Sequence, residues 1–340
     1  MKFTKKRKEQ IMFYMLEKIF EKDRNFKSKV VEAQEVSINT VYRYLKELQD
    51  KGVILKKGDF YELVKVSTKF TYDMSVEKDE SEVFNRDILP IISDLPKGLR
   101  DIWDYAFTEM FNNVIDHSES SECTVFLTRN EIYTWIEMVD NGVGIFNKIQ
   151  KFFKQDTIEQ VIVDLFKGKM TTDPSRHSGE GIFFTSKIMD RFFAISSNYI
   201  FTHSNIHERS EYLDERHPLY DLKGTIILMT LSNSSDKKIS DIFNEYSNPD
   251  DGVIRTRIPM RFLCDSGYPI SRSQAKRLTS GIDKFKEVEL DFMDVENIGQ
   301  GFADELFRVY SNNNPDIKLI PINTNNAITN MISHVKAKNN

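Results

Sequence analysis

The stretch FTEMFNNVIDHS, residues 107–118, decides how the chain is read. Phe107, Met110, Phe111, Val114 and Ile115 recur at helical spacing and give one apolar face. Glu109, Asn113 and Asp116 fall at i, i+4 and i+7, so an acid, an amide and a second acid share another stripe of that helix. A helix with so much apolar surface packs against a core, and a polar stripe beside that surface borders whatever the core leaves open.

Composition bounds the surroundings. The 340 residues allow two or three domains with cores of their own, and 40% hydrophobic with 29% charged residues describes an ordinary globular chain. No apolar run reaches the length of a membrane span. The basic N-terminus is interrupted by Glu9, Glu17 and Glu21, which reads as an amphipathic helix and not as a secretion signal. Two distant cysteines, Cys123 and Cys264, fit neither a disulfide framework nor a zinc site, and a cytoplasmic location is expected. Charge is uneven. Residues 1–66 carry 16 Lys and Arg against 10 Asp and Glu, a net of +6, while the rest carries 31 against 42, a net of −11. A basic module on an acidic body points to nucleic acid as a partner of the first part only, with a merely solvated basic face as the alternative.

Three segments emerge. In the first, residues 5–22, 25–35 and 37–52 read as helices, the third capped by Ser37 or Asn39 and stopped by Gly52. VILKKGDFYELVK (53–65) reads as a hairpin. Three helices followed by a hairpin resemble the winged helix-turn-helix domains of bacterial transcription regulators. The resemblance implies DNA contacts from the third helix, with Thr40, Arg43 and Lys46 as candidates. A linker is expected at 67–82. The middle segment, 83–232, mixes helix and strand, with paired strands at 124–130 and 132–140 and another at 224–232; a second linker is expected at 233–252. The last segment, 254–340, has a βαβαβα rhythm and resembles a STAS-like domain. The expected fold class is thus multidomain, α+β and α/β.

The chemistry lies in the middle segment. The strand 132–140 ends in VDNGVGI, which puts Asp140 at the strand end followed by Gly142 and Gly144. HSGEGIFFTSKIMD (177–190) puts Gly179 and Gly181 at a helix start, where exposed N–H groups favour an anion. Gly224-Thr225 opens a strand. An acid-amide helix, a DxGxG turn, a GxG helix start and a Gly-Thr strand, in that order, resemble the GHKL or Bergerat-fold ATPases, which include gyrase-type topoisomerases, ninety-kilodalton heat-shock chaperones, histidine kinases and mismatch-repair ATPases. Any one motif alone would be an ordinary turn or surface stripe; the order of four makes the resemblance specific.

The resemblance implies ATP and Mg²⁺ as cofactors. Asn113 then stands at the metal-ligand position, and an amide oxygen suits that ion's preference for oxygen donors. Glu109 stands at the position of the general base. Asp140 reads the adenine amino group, and a carboxylate, being acceptor-only, suits that donor. Asp116 supports the adenine pocket, Gly142 and Gly144 leave room for the base, Gly179 and Gly181 face the phosphates, and Thr225 adds a hydroxyl. Residues 146–178 correspond to a flexible lid, with Lys167, Lys169, Arg176 and His177 as candidate phosphate contacts, although lid lysines are commonly just solvated.

None of the six histidines precedes the nucleotide motifs, which argues against self-phosphorylation of the sensor-kinase type. The anti-sigma-factor kinases act on a STAS-fold partner at a serine on a helix start, but the matching loop here, Asn297-Ile298-Gly299-Gln300-Gly301, holds no hydroxyl. The order winged helix, GHKL ATPase and STAS-like tail resembles an uncharacterised type of bacterial regulator. The expectation is a Mg·ATP-binding regulator with weak ATPase activity coupled to DNA binding. The alternatives are a serine/threonine kinase or switch acting on a protein partner through the STAS-like domain, and a non-hydrolysing ATP sensor; a homodimer is left open.

Overall fold

The computed structural model describes residues 3–168, 180–197, 199–202, 223–248, 252–263 and 268–337. Its first helix, α1 (Lys5–Phe20), starts where the Thr4 hydroxyl accepts the Arg7 N–H. Helix α2 (Phe26–Gln34) ends at Glu35 in the left-handed conformation, and α3 (Ile38–Asp50) is capped by Ser37, whose hydroxyl accepts the Thr40 N–H. Ser37 is therefore the cap, not Asn39. Gly52, at φ +69°, ends the run. Strands β1 (Ile54–Lys57) and β2 (Phe60–Leu63) pair antiparallel around Gly58. Ile11, Met15, Val30, Val41, Leu45 and Ile54 form the core of this unit, each almost fully buried.

The next strand, β3 (Val66–Asp73), corrects the expected linker at 67–82. Thr68, Phe70 and Tyr72 alternate with exposed polar residues, so the segment has the period of an edge strand although its composition is that of a loop. It pairs with β4 (Glu122–Arg129), which pairs with β5 (Tyr133–Asp140). Between β3 and β4 come the short α4 (Glu80–Val83), a π-helical turn (Phe84–Ile88) and the long α5 (Lys97–His117). After β5 come α6 (Ile145–Phe153), α7 (Ile158–Lys167), α8 (Gly181–Ile188), β6 (Arg191–Ser196), β7 (Tyr199–Thr202) and β8 (Thr225–Ser232). The sheet runs β3-β4-β5-β8-β6-β7, antiparallel throughout. Trp103, Phe107, Met110 and Phe111 of α5 pack with Ile136, Met138 and Met229 of the sheet in one core. The expected second linker, 233–252, instead contains α9 (Ile239–Tyr246) and the two-residue pair β9 (Ser247–Asn248) with β10 (Gly252–Val253). Its apolar positions Ile242, Phe243 and Tyr246 recur at helical spacing, and all three pack against the core of the last unit.

The last unit is a three-stranded parallel sheet in sequence order: β11 (Arg255–Pro259), β12 (Glu287–Asp291), β13 (Lys318–Ile322). Helix α10 (Arg272–Thr279), with a capping box from Ser271 and Gln274, joins the first two strands. It is shorter than the expected 271–285 because Gly281, at φ +77°, turns the chain into one 3-10 turn. A helical run follows from α11 (Gln300–Asp304) through a π-turn (Glu305–Tyr310) to α12 (Ser311–Asn313), and α13 (Asn326–Ala337) closes the unit. Ile258, Val288, Leu290, Leu278, Phe302 and Ile328 are completely or almost completely buried.

Among the described residues the units meet at two junctions. Ile132, in the turn between β4 and β5, is 2% exposed and belongs to the N-terminal core, while the Tyr133 ring lies tilted against Phe20 at 4.9 Å between ring centroids. At the other junction Val163 of α7 and Phe183 and Phe184 of α8 lie in the core of the C-terminal unit. The Thr256 hydroxyl donates to the Phe166 carbonyl at 2.9 Å across that junction.

Candidate functional site at the end of the central sheet

Strand β5 alternates in burial, and its inward row is Thr134, Ile136, Met138, Asp140. Asp140 therefore ends an apolar row, with its side chain on the core side and only 4% exposed. A buried carboxylate needs donors. The Gly142 N–H supplies one at 2.8 Å to Oδ1, and the backbone N–H and hydroxyl of Thr225 supply two more. Burial raises the Asp140 pKa above the usual carboxylate range, and these three hydrogen bonds oppose the rise.

The glycines around it are sterically required. A β-carbon on Gly142 would lie 2.1 Å from the Ser118 carbonyl oxygen, and one on Gly224 2.0 Å from the Asp140 carbonyl oxygen. Gly144 has φ +82°, and its β-carbon would meet Ser196 Oγ at 2.5 Å. Thr225 is shared: its hydroxyl also accepts the Ile145 N–H at 3.0 Å, which fixes the start of α6. Asp140, Gly142, Gly144 and Thr225 thus form one nest where β5, β8 and α6 meet.

Helix α5 runs from this nest to a second one. The Ser118 carbonyl just past its C-terminus accepts the Val143 N–H at 2.8 Å. Nine residues earlier, about 14 Å along the axis, Glu109 meets the start of α8. A β-carbon on Gly181 would lie 2.0 Å from Glu109 Oε2. Asn113 and Asp116 lie on α5 between the two, both half-buried like Glu109. The polar stripe thus spans from the first turn of α8 to the Asp140 nest. Among the described residues no three His, Cys, Asp or Glu side chains converge as a metal cluster.

Other candidates sit elsewhere. Lys167 is corrected: it is 3% exposed and turned toward the C-terminal unit. Its ammonium donates to Asp164 Oδ1 at 2.6 Å and to the Ser280 carbonyl at 2.8 Å, with the Arg277 carbonyl at 3.4 Å. Burial lowers its pKa, opposed by Asp164. The packing of α7 on the C-terminal unit takes this lysine away from the α5 stripe. Most of the expected lid, 146–178, is two helices, α6 and α7. Lys169, Arg176, His177 and Gly179 lie outside the described residues. On α3, Thr40 bonds Ser37 through its hydroxyl, Arg43 lies exposed with its guanidinium 5.0 Å from the Tyr44 ring centroid, and Lys46 is exposed.

Sequence reasoning missed several neighbours. Ser196 donates to the Gly224 carbonyl at 3.0 Å, from strand β6, which was not anticipated. Tyr105 lies one turn before Glu109, and burial, then Glu109 and Glu180, push its phenol far above the ordinary range. Its ring contacts Phe243 of α9 edge-on at 5.7 Å, and Phe243 lies 4.1 Å from Phe184 of α8. The helical spacing of Tyr105 and Glu109 was the available signal.

In the C-terminal unit the loop before α11 is closed by its own chain. The Gly299 N–H donates to the Pro269 carbonyl and the Phe302 N–H to the Ile270 carbonyl, at 2.8 and 3.1 Å. Asp291, at the end of β12, is also internally engaged. Burial alone would raise its pKa, but Asn323, Arg257 and the Met293 N–H together hold it below the usual range.

Residues 274–329 match the STAS-like domain of unknown function DUF4325, so the C-terminal unit is STAS-like. No curated protein matches the chain.

Proposed function

We propose that the middle unit binds Mg·ATP along the α5 stripe in the manner of GHKL ATPases, and that the chain is a regulator coupling nucleotide state to DNA binding. Asp140 is the observation that carries the reading. A carboxylate buried to this degree at a sheet end, held by the Gly142 N–H and by Thr225, with Gly224 packed on its own carbonyl, is an acceptor that suits a donor on a flat ring. The contact of Glu109 with Gly181 supports it, because it brings a carboxylate to the start of a helix suited to phosphate. The donor set fits the group. Asp140, Thr225 and Asp116 would serve the base, Asn113 would give the metal an amide oxygen, and the α8 start would face the phosphates. Bound Mg·ATP supplies a phosphoryl group for transfer; Glu109 would hold the proton of an attacking water.

The basic N-terminal unit, three helices and a hairpin, is read as a winged helix that contacts DNA through Thr40, Arg43 and Lys46. The STAS-like domain is the surface for a protein partner. Phosphorylation within the chain at the α11 start is disfavoured, since residues 297–301 lack a hydroxyl and the Pro269-Ile270 carbonyls occupy two of the N–H groups there. No described helix is long and apolar enough to cross a membrane.

Calorimetric titration with ATP, with and without Mg²⁺, tests the reading. Saturable binding strengthened by Mg²⁺, lost in Asp140→Ala and deprived of its Mg²⁺ dependence in Asn113→Ala, is expected. Absence of binding, or binding indifferent to both substitutions, defeats it. Label transfer from ATP to another protein in place of hydrolysis would shift the assignment to a kinase.

A further inference from the structure

The N-terminal unit carries a feature that a reader of intact duplex does not need. A groove of about 510 Å³ lies between the α1–α2 turn and the outer edge of β2. Phe60 forms part of its wall and is 52% exposed, and Tyr42 on α3 is 50% exposed. Cations sit over these rings. The Arg24 guanidinium is 5.8 Å from the Phe60 centroid, and the Lys27 ammonium is 5.1 Å from Tyr42 and 5.6 Å from Tyr61. Lys22 also lines the groove. The carboxylates present are largely compensated: Asp23 pairs with Lys29 and Glu62 with Lys57, each at 2.6 Å, leaving Asp59 at the hairpin turn.

Exposed flat rings flanked by cations match one ligand chemistry: nucleobases with open faces on a phosphate backbone. In a paired duplex those faces are stacked away, and only base edges and phosphates can be reached. Protein interfaces also favour aromatic rings and arginine but are depleted of lysine at their centres, so Lys22 in the groove and Lys27 over Tyr42 and Tyr61 tip the match toward nucleic acid. We propose that the hairpin-side groove of the N-terminal unit binds unpaired nucleobases of a single-stranded or frayed nucleic acid. Phe60 in the groove wall and Tyr42 beside the groove on α3 are the stacking platforms, and Lys22 and Arg24 in the groove, with Lys27 between Tyr42 and the groove's Tyr61, neutralise the backbone. The proposal rests on the reading of this unit as a nucleic-acid module and adds the class of strand it takes.

Fluorescence anisotropy on the full chain tests it with three labelled probes: single-stranded DNA, RNA of the same sequence, and blunt duplex DNA. Phe60→Ala should weaken single-strand binding roughly tenfold or more and leave duplex binding and the melting temperature unchanged, since the ring is exposed. The stronger of the DNA and RNA arms identifies the strand. Single-strand binding that is absent, or present and indifferent to Phe60→Ala and Tyr42→Ala, overturns the proposal. The duplex arm keeps the two readings apart: duplex binding lost in Arg43→Ala and Lys46→Ala upholds the DNA reading even if the Phe60 arm fails. Binding to none of the probes overturns both.

Discussion

Glu109 and Gly181 are in direct contact across two helices: the carboxylate of α5 lies where a side chain on the first residue of α8 would begin. The clash falls on the far end of a flexible side chain, so Gly181→Ala can be relieved by rotating Glu109. The variant should fold with little loss of stability and lose hydrolysis; Glu109→Ala, which leaves the α8 start intact, should lose hydrolysis and keep nucleotide affinity. Parallel titration and turnover measurements check this; equal loss of binding and turnover in Glu109→Ala would refute it.

Gly142 and Gly224 behave differently, because their missing β-carbons would strike backbone. The Ser118 and Asp140 carbonyls can give way only by moving the end of α5 or β5. Gly142→Ala and Gly224→Ala should each cost about 1–3 kcal/mol of stability, the usual range for overpacking. Thermal melts compared with the Gly181 variant provide the measurement.

The raised pKa of Asp140 has a sign that can be tested. Its folded form binds a proton more readily than the unfolded chain, so ionising it opposes folding. The penalty is absent below the unfolded carboxylate range, near pH 4, and grows as pH rises through the raised value. The stability of Asp140→Asn relative to the natural chain should therefore improve between pH 4 and pH 7. Melts at the two pH values give the comparison; a relative decline would contradict the assignment.

Lys187 gives the opposite slope. It sits on α8 with its ammonium 5.4 Å from Phe183 and 5.2 Å from Tyr246, and its pKa is lowered to about 7 by burial and then by Arg257, against the pull of Glu245, Glu289 and Asp291. The unfolded chain binds more protons between that value and an ordinary lysine pKa of roughly 10.4, so stability contributed here rises across that window. Lys187→Met should flatten that part of the pH profile of the melting temperature.

Ile132 ties the N-terminal unit to the sheet. Truncating a buried Ile typically costs about 2–5 kcal/mol. Ile132→Ala should loosen the docking at Phe20 and Tyr133, and limited proteolysis should then release an N-terminal fragment sooner than from the natural chain.

The element order of the first and last units was legible in the sequence because their helices are amphipathic and their strands short, apolar and flanked by turn residues. Boundaries moved where a single backbone position intervened, as at Gly281. The middle unit was harder. β3 was hidden by its polar outer row, Ser67, Lys69, Thr71 and Asp73, which makes an edge strand look like a linker. β6 and β7 follow a helix of similar apolarity, FFTSKIM running on to FFAIS, so periodicity could not separate them. α9 has no fully buried residue and is organised only by the aromatic faces it meets. The residues at the sheet end were legible as a set because glycines and an acid at a strand end are rare together. Lys167 was not, because a lysine at a helix end is ordinarily solvated and only tertiary packing turns this one inward.

Helix α8 has a consequence for dissecting the chain. Its first residue rests on Glu109, while Phe183 and Phe184 are interior residues of the STAS-like unit. A fragment cut before β11 would keep Phe243 and Tyr246 of α9 on those two rings but uncover their C-terminal side together with Val163, so the isolated middle piece is expected to be sticky in solution and poorly behaved as a stand-alone reagent. Expression of the central and final thirds as one polypeptide keeps that greasy seam covered.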